Sequence, residues 1–270
     1  MKAVLLREPG KPEVLRLEDV PNPKPLPSEI LIRVKACSIN HLDIWLREGL
    51  ASYGTEYPHV LGCDIAGIVE EVPTGSPSNV KRGDRVMVAP GISCFSCAMC
   101  LSGRDNLCEK FTIMGAGRAG GDAELVSVPV QNVIPIGDDM DFANAAAFPL
   151  TFLTAWHMLV TRGSIQAGQQ VLVLGGGSGV GTAAIQIAKY HGAFVITTVG
   201  GEEKIALAQD LGADVVINHT MTDWEAEVAT ITGKAGVDIV FEHVGVATWE
   251  KSIRVIKKGG TLVTCGATSG

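Results

Sequence analysis

Between residues 169 and 264, short apolar runs alternate with amphipathic stretches, and this alternation constrains the fold more than any other feature of the chain. Residues 171–174, Val-Leu-Val-Leu, read as a buried strand, and 180–190 as a helix with its apolar positions on one face. Strands are expected again at 193–196, 215–217, 237–241 and 261–264, with helices over 202–211, 224–231 and 248–256 between them. Such an order demands right-handed crossovers and a parallel sheet. Directly after the first strand comes Gly175-Gly176-Gly177-Ser178-Gly179-Val180-Gly181, opening a helix. Glycines there let the backbone approach a pyrophosphate, which rests on the free N–H groups and positive dipole of the helix start. Ser178 takes the middle place of the literal G-x-G-x-x-G, so the motif rests on its strand–glycine–helix context. A glycine-rich turn serving only helix–strand packing is the plainer use of the same residues.

A second constraint lies upstream. Cys94, Cys97, Cys100 and Cys108 stand at C-x-x-C-x-x-C-x₇-C. Four thiolates gathered by short loops make a closed tetrahedral zinc site with Zn–S distances of about 2.3 Å. A metal with four protein ligands has no position for substrate, so it holds a loop and does no chemistry. Two disulfides or unrelated free thiols are the other uses of such cysteines, but nothing marks the chain as secreted, and disulfides are rare in the cytosol. Cys37, Cys63 and Cys265 lie outside the run.

The first half has a different grammar. Up to about residue 130, strand-like runs at 1–6, 30–36, 65–72, 85–88 and 123–128 are separated by proline and glycine. The expected organisation is a β-rich domain over 1–130 with the cysteine lobe at about 91–110, a linker helix region over 131–168 with its helix near 143–159, and a dinucleotide-binding domain over 169–270. The 270 residues carry 46% hydrophobic residues and a net charge of -7. No basic stripe exists to neutralise phosphates, which excludes nucleic acid as an expected partner. The N-terminus is too short and too charged for a signal peptide, and the most apolar stretch, 145–160, contains Pro149 and His157 and falls short of a membrane span. A cytoplasmic protein without membrane contact is expected.

At the end of the second strand, where NAD-binding folds place an acid for the ribose 2′-hydroxyl, the chain reads Thr197-Thr198-Val199-Gly200-Gly201. Lys204 follows one turn into the next helix, and His219 ends the third strand. An absent carboxylate and a nearby ammonium favour a 2′-phosphate, hence NADP(H) over NAD(H); Glu202 and Glu203 argue the other way.

Together the four-cysteine lobe, the segment Pro58-His59-Val60-Leu61-Gly62-Cys63-Asp64-Ile65-Ala66-Gly67 and the glycine loop resemble the zinc-type alcohol dehydrogenase superfamily, the medium-chain dehydrogenases/reductases. The resemblance covers the whole chain. It implies α/β plus β architecture: a GroES-like β domain, a Rossmann doubly wound parallel sheet after it, and an active site between them. It adds Thr154 and Gly266 to Gly176, Ser178, Gly179, Val180, Gly181, Gly200, Lys204 and His219 as cofactor contacts. Alcohol dehydrogenases of the family hold a second, catalytic zinc. Where their first ligand is a cysteine this chain has Asn40, where the second is a histidine it has Cys63, and near the third stand Leu150 and Thr151. His41, Asp43, Cys63 and Asp64 are the residues from which a different site would have to be rebuilt. Asn40-x-x-Asp43-x-x-x-Arg47-x-Gly49 resembles instead the quinone oxidoreductase branch, as do Thr197, Val199, Gly200 and Lys204, although most of that branch lacks the cysteine lobe.

The expected function is an NADPH-dependent reductase of a quinone or an α,β-unsaturated carbonyl with structural zinc only. Asn40 would contact substrate or the nicotinamide ribose, His41 is the titratable group, and Asp43 would orient it or a water. Asp43 with Arg47 as an ion pair and His41 as a structural histidine are the plainer readings, and Tyr53 is a further cleft candidate. The rivals are a zinc alcohol dehydrogenase with an unusual ligand set and an NADPH-binding redox sensor without turnover. Relatives continue past the fifth Rossmann strand, so a truncated chain is expected, with a homodimer in the full-length form.

Overall fold

A computed structural model describes residues 1–49 and 55–270; Tyr53 lies outside the described residues. The chain divides into two compact units, Met1–Leu150 and Thr151–Gly270.

In chain order the first unit carries β1 (Lys2–Leu6), β2 (Leu15–Asp19), β3 (Glu29–Ser38), α1 (His41–Glu48), β4 (His59–Val60), β5 (Asp64–Glu71), β6 (Arg85–Val88), β7 (Gly91–Ile92), α2 (Ala98–Leu101), β8 (Thr112–Ile113), β9 (Leu125–Pro129), β10 (Val133–Pro135) and α3 (Phe142–Ala147). Its main sheet has the order β10-β6-β5-β3-β9 and is antiparallel throughout. Ile30, Ile32, Ile65, Val69, Val86, Val88, Val126 and Val128 alternate inward and form its core, as period-2 strands with one buried face require. The β3–β5 ladder shifts register between Val34 and Ala36. Gly67 sits opposite that shift, and a Cβ there would meet the Arg33 carbonyl at 2.2 Å, so only glycine permits the approach. A smaller sheet, β2-β1-β4, and the β7–β8 hairpin complete the unit.

The second unit opens with α4 (Pro149–Trp156), whose first two residues lie before its boundary at Thr151, and a π-helical turn (His157–Arg162). It continues with β11 (Gln170–Val173), α5 (Gly179–Tyr190), β12 (Phe194–Val199), α6 (Glu203–Asp210), β13 (Val215–Asn218), α7 (Trp224–Ile231), β14 (Val237–Glu242), α8 (Trp249–Arg254) and β15 (Ile256–Thr264). The sheet order is β13-β12-β11-β14-β15, every pair parallel. The reversal beside β11 makes the switch point at which such sheets bind ligands, outside the carboxyl ends of their strands. Both faces are covered: Val171, Val173 and Ile239 pack with Ile185 and Ala188 of α5, while Leu172, Ile196 and Val240 pack with Trp224 and Val228 of α7.

The region 131–168 is not a separate linker. β10 pairs with β6, and Ala145 and Ala146 of α3 pack against Ala66, which ties this stretch to the first unit. Ala155, Met158, Leu159 and Ile165 belong to the core of the second. The single helix expected over 143–159 is interrupted before Pro149, which has no N–H for an ongoing helical ladder.

Candidate metal centre and buried polar cluster

The lobe between β7 and β8 wraps four sulfurs around one point. The Sγ atoms of Cys94, Cys97, Cys100 and Cys108 all lie within 4.8 Å of one another, and these cysteines are free of disulfides. Cys97 and Cys100 approach to 3.5 Å, Cys94 and Cys100 to 3.8 Å. Phe95 takes φ 53° between the first two ligands, a left-handed turn that folds the backbone over Cys94. N–H groups then point at sulfur: Cys97 N to Cys94 Sγ at 3.3 Å, and Lys110 N to Cys108 Sγ at 3.3 Å. Backbone donors at Ser96, with its hydroxyl and the Cys97 N–H, hold the Cys94 thiol down at about 5. Burial, and then hydrogen bonding to the other three sulfurs, pushes Cys100 up to about 12. A dication removes that conflict between neighbouring thiolates, so the set fits a structural zinc.

A second cluster forms where α1 meets the start of β5. Asn40 precedes α1, and its backbone N–H donates to Asp43 Oδ2 at 2.7 Å. Its side-chain Nδ2 donates to Cys63 Sγ at 3.4 Å and to Asp64 Oδ2 at 3.0 Å. The Leu150 N–H donates to Asp64 Oδ1 at 2.9 Å. Asp64 and Cys63 are both fully buried. Burial raises the Asp64 carboxyl to about 6 against the pull of the Asn40 amide, and burial raises the Cys63 thiol well above its usual range. Asp43 Oδ1 accepts from the Gly62 N–H at 3.1 Å, and burial raises this carboxyl too. Gly62, at φ 94°, lies so close to the turn at 115–122 that a Cβ would meet Cys37 Sγ at 2.6 Å and Asp122 Oδ1 at 2.7 Å. Cys63, Asp64 and Asp43 are thus tied by the amide of Asn40 and by backbone N–H groups. Among the described residues, the four lobe cysteines are the one group of three or more metal-ligating side chains whose donor atoms converge.

The glycine loop crosses the carboxyl end of β11. Ser178 caps α5: its Oγ accepts from the Gly181 N–H at 3.0 Å and donates to the Gly175 carbonyl at 2.7 Å. A Cβ on Gly176 would meet Thr197 Oγ1 at 2.1 Å, and one on Gly181 the Gly175 carbonyl at 2.2 Å. The start of α5 therefore packs backbone to backbone on the loop, and the loop packs directly on the Thr197 side chain of the sheet, the close approach that a pyrophosphate cradle requires.

The structure separates the sequence candidates. Gly176, Ser178, Gly179, Val180 and Gly181 form the loop and the first turn of α5. Lys204 is exposed on α6 with its stem against Gly177, whose Cβ would lie 2.6 Å from Lys204 Cδ. The His219 ring lies beside Gly200, 3.3 Å from where a Cβ would stand. Thr154 is half-buried in α4, and Gly266 follows β15, in a groove with Gly245 and Trp249. Of the catalytic candidates, Asn40 and Asp43 join the buried cluster and His41 does not. His41 is exposed and its ring lies 5.7 Å from that of Trp45. Asp43 orients neither His41 nor an ion pair with Arg47: its oxygens take the Asn40 and Gly62 N–H groups, and Arg47 pairs with Glu48. Two features escaped the sequence reading, the Leu150 N–H on Asp64 and the contact of His243 with the glycine loop. The second had a signal, a titratable residue just past the carboxyl end of a parallel strand.

A family profile described as "Alcohol dehydrogenase GroES-like domain" matches residues 26–138, and one described as "Zinc-binding dehydrogenase" matches 179–270. The chain is 33% identical to a quinone oxidoreductase of Rattus norvegicus, over 98% of this chain and 73% of that one. It is also 33% identical to an NAD-dependent alcohol dehydrogenase of Sulfolobus acidocaldarius, over 100% and 78%. A crystal structure of an NAD-dependent alcohol dehydrogenase superposes with a TM-score of 0.96 at 46% identity, covering 100% of this chain and 78% of that one.

Proposed function

The chain belongs to the zinc-type alcohol dehydrogenase superfamily, and on that premise we propose that it is an NAD(P)H-dependent oxidoreductase that delivers hydride to a quinone or an α,β-unsaturated carbonyl, with zinc confined to the cysteine lobe. The observation that carries this reading is the Asn40 amide. It occupies the place of a metal ligand in the family pattern and donates to Cys63 and Asp64, its two neighbours in that pattern. An amide N–H donor aimed at a thiol and a carboxylate satisfies groups that would otherwise be free to take a cation. Quinones and enones suit such a site, because the charge they accept spreads over a conjugated system and needs no Lewis acid to hold it.

The bound dinucleotide supplies the hydride; the protein supplies position and polarity. The loop N–H groups and the start of α5 would receive the pyrophosphate, with Ser178 holding the loop closed. Asn40 is fixed by its two buried partners and by Asp43, so its position is set before substrate arrives. Asp64, raised by burial to about 6, holds a proton at acid pH. Lys204, lying against Gly177 with no acid closing the second strand, favours a 2′-phosphate and hence NADPH. Glu203 supports the second reading, an NAD-dependent alcohol dehydrogenase: its carboxylate lies against Gly201, and the protein of the superposed structure is NAD-dependent.

Turnover of a quinone and enone panel, set beside an alcohol panel with each cofactor, tests the proposal. Quinone or enone reduction with NADPH, surviving a chelator that spares the cysteine lobe, is expected. Alcohol oxidation with NAD that the chelator abolishes would establish the second reading instead.

A further inference from the structure

At the carboxyl end of β14 two adjacent residues turn inward. Glu242 is fully buried, and its carboxylate accepts from the N–H groups of Val244 at 2.7 Å and Gly245 at 3.1 Å. It accepts also from Thr248 Oγ1 at 2.9 Å and from Ser252 Oγ at 2.6 Å. These donors come from the turn after β14 and from α8, so one carboxylate fixes the whole exit of the strand. His243, next in the chain and only 8% exposed, turns toward the glycine loop. Its Nε2 lies 2.7 Å from the Leu174 carbonyl and 3.4 Å from Ser178 Oγ. A carbonyl only accepts, so Nε2 carries the proton and donates to Leu174. The ring also lies under Gly175, where a Cβ would meet Cε1 and Nε2 at 3.2 Å. The contacts continue through Ser178 Oγ to the Gly175 carbonyl and to the Gly181 N–H in the first turn of α5.

We propose that His243 is a positioning residue for the dinucleotide pyrophosphate. It braces the loop from beneath so that the N–H groups over 176–181 stay aimed at phosphate, and Glu242 in turn fixes His243. This rests on the dinucleotide reading above. The brace answers a physical need. The loop holds five glycines in seven residues, and glycine loses more conformational freedom on ordering than any other residue. A loop ordered in advance from outside does not lose that freedom at the moment of binding, and affinity rises accordingly. Ser178, where the literal motif has glycine, gives the imidazole a polar atom to meet.

The test is calorimetric titration of the zinc-loaded chain with ADP-ribose, a probe independent of the hydride acceptor. His243→Phe keeps the ring under Gly175 and removes the donor, His243→Leu removes both, and His243→Gln restores a terminal N–H. The Phe and Leu variants are expected to weaken ADP-ribose binding about tenfold, the change that loss of one positioned hydrogen bond brings, with Gln recovering most of it. Zinc content and melting temperature should stay those of the wild type in the Phe and Gln variants. Wild-type affinity in the Phe variant, or a Gln variant as weak as Phe while equally well folded, overturns the brace alone. A wild-type chain that does not bind ADP-ribose overturns the dinucleotide reading and the brace with it.

Discussion

Asp64 shows how one residue can be both satisfied and strained. Its carboxylate has two good donors, yet burial still lifts it to about 6. In the unfolded chain the same group titrates near 3.9, so between about pH 4 and pH 6 the folded state binds the extra proton and stability falls as pH rises. Asp64→Asn removes this titration. Relative to the wild type, the variant should gain of order 2 kcal/mol in urea unfolding between pH 4 and pH 7. A difference that does not change with pH would mean that the carboxyl titrates normally. Lys204 carries the prediction for cofactor choice. Lys204→Ala should raise KM for NADPH roughly tenfold and leave KM for NADH nearly unchanged, because one ammonium–phosphate pair is lost. Equal effects on both cofactors would leave Lys204 a solvated helix residue. Little of this was visible in the order of amino acids. Asn40, Asp43 and Cys63 could be singled out, but the direction of each side chain depends on how α1 docks against the turn at Gly62. Asp43 therefore looked like a partner for His41 or Arg47 and is instead a tie between backbone N–H groups.

Among the elements, those with a strong period were readable and those without were not. α7 spans Trp224–Ile231 and β6 spans Arg85–Val88, as their patterns predict. β15 begins at Ile256, five residues earlier than expected, because Lys257-Lys258-Gly259-Gly260 reads as a turn while pairing with β14 carries the strand through a register shift. β4, β7 and β8 have two residues each, too few to show alternation, and exist because their neighbours hold them. The cysteine lobe is the opposite case: spacing alone announced it, because ligand geometry rather than hydrophobic burial organises the chain there. Its helices are short, α2 having four residues, and none of its ligands' neighbours over 98–107 is buried. Cys108→Ser should therefore release zinc and expose 94–110 to proteolysis while the core built on β3 and β5 persists. Limited digestion followed by mass measurement checks this, and unchanged resistance of the lobe would remove the metal from its folding.

Across the molecule, the chain forms two units with separate cores. The antiparallel unit presents the metal lobe and the Asn40 cluster, and the parallel unit presents the glycine loop at its switch point. The parallel sheet followed from the alternation, because strands that alternate with helices need right-handed crossovers, while its doubly wound arrangement was implied only by the family resemblance. The division at Leu150 did not follow, since the apolar stretch over 143–159 gives its first part to one core and its last part to the other without a break in its apolar character. Among the described residues no helix is long and apolar enough to cross a membrane. The central claim is that a metal braces a lobe while hydride transfer proceeds beside an amide rather than a Lewis acid. Zinc stoichiometry of the purified chain, measured by elemental analysis on wild type and Cys108→Ser, tests it most directly. One zinc per wild-type chain and none in the variant is the predicted result; two per wild-type chain, with one retained when the lobe is broken, would contradict it.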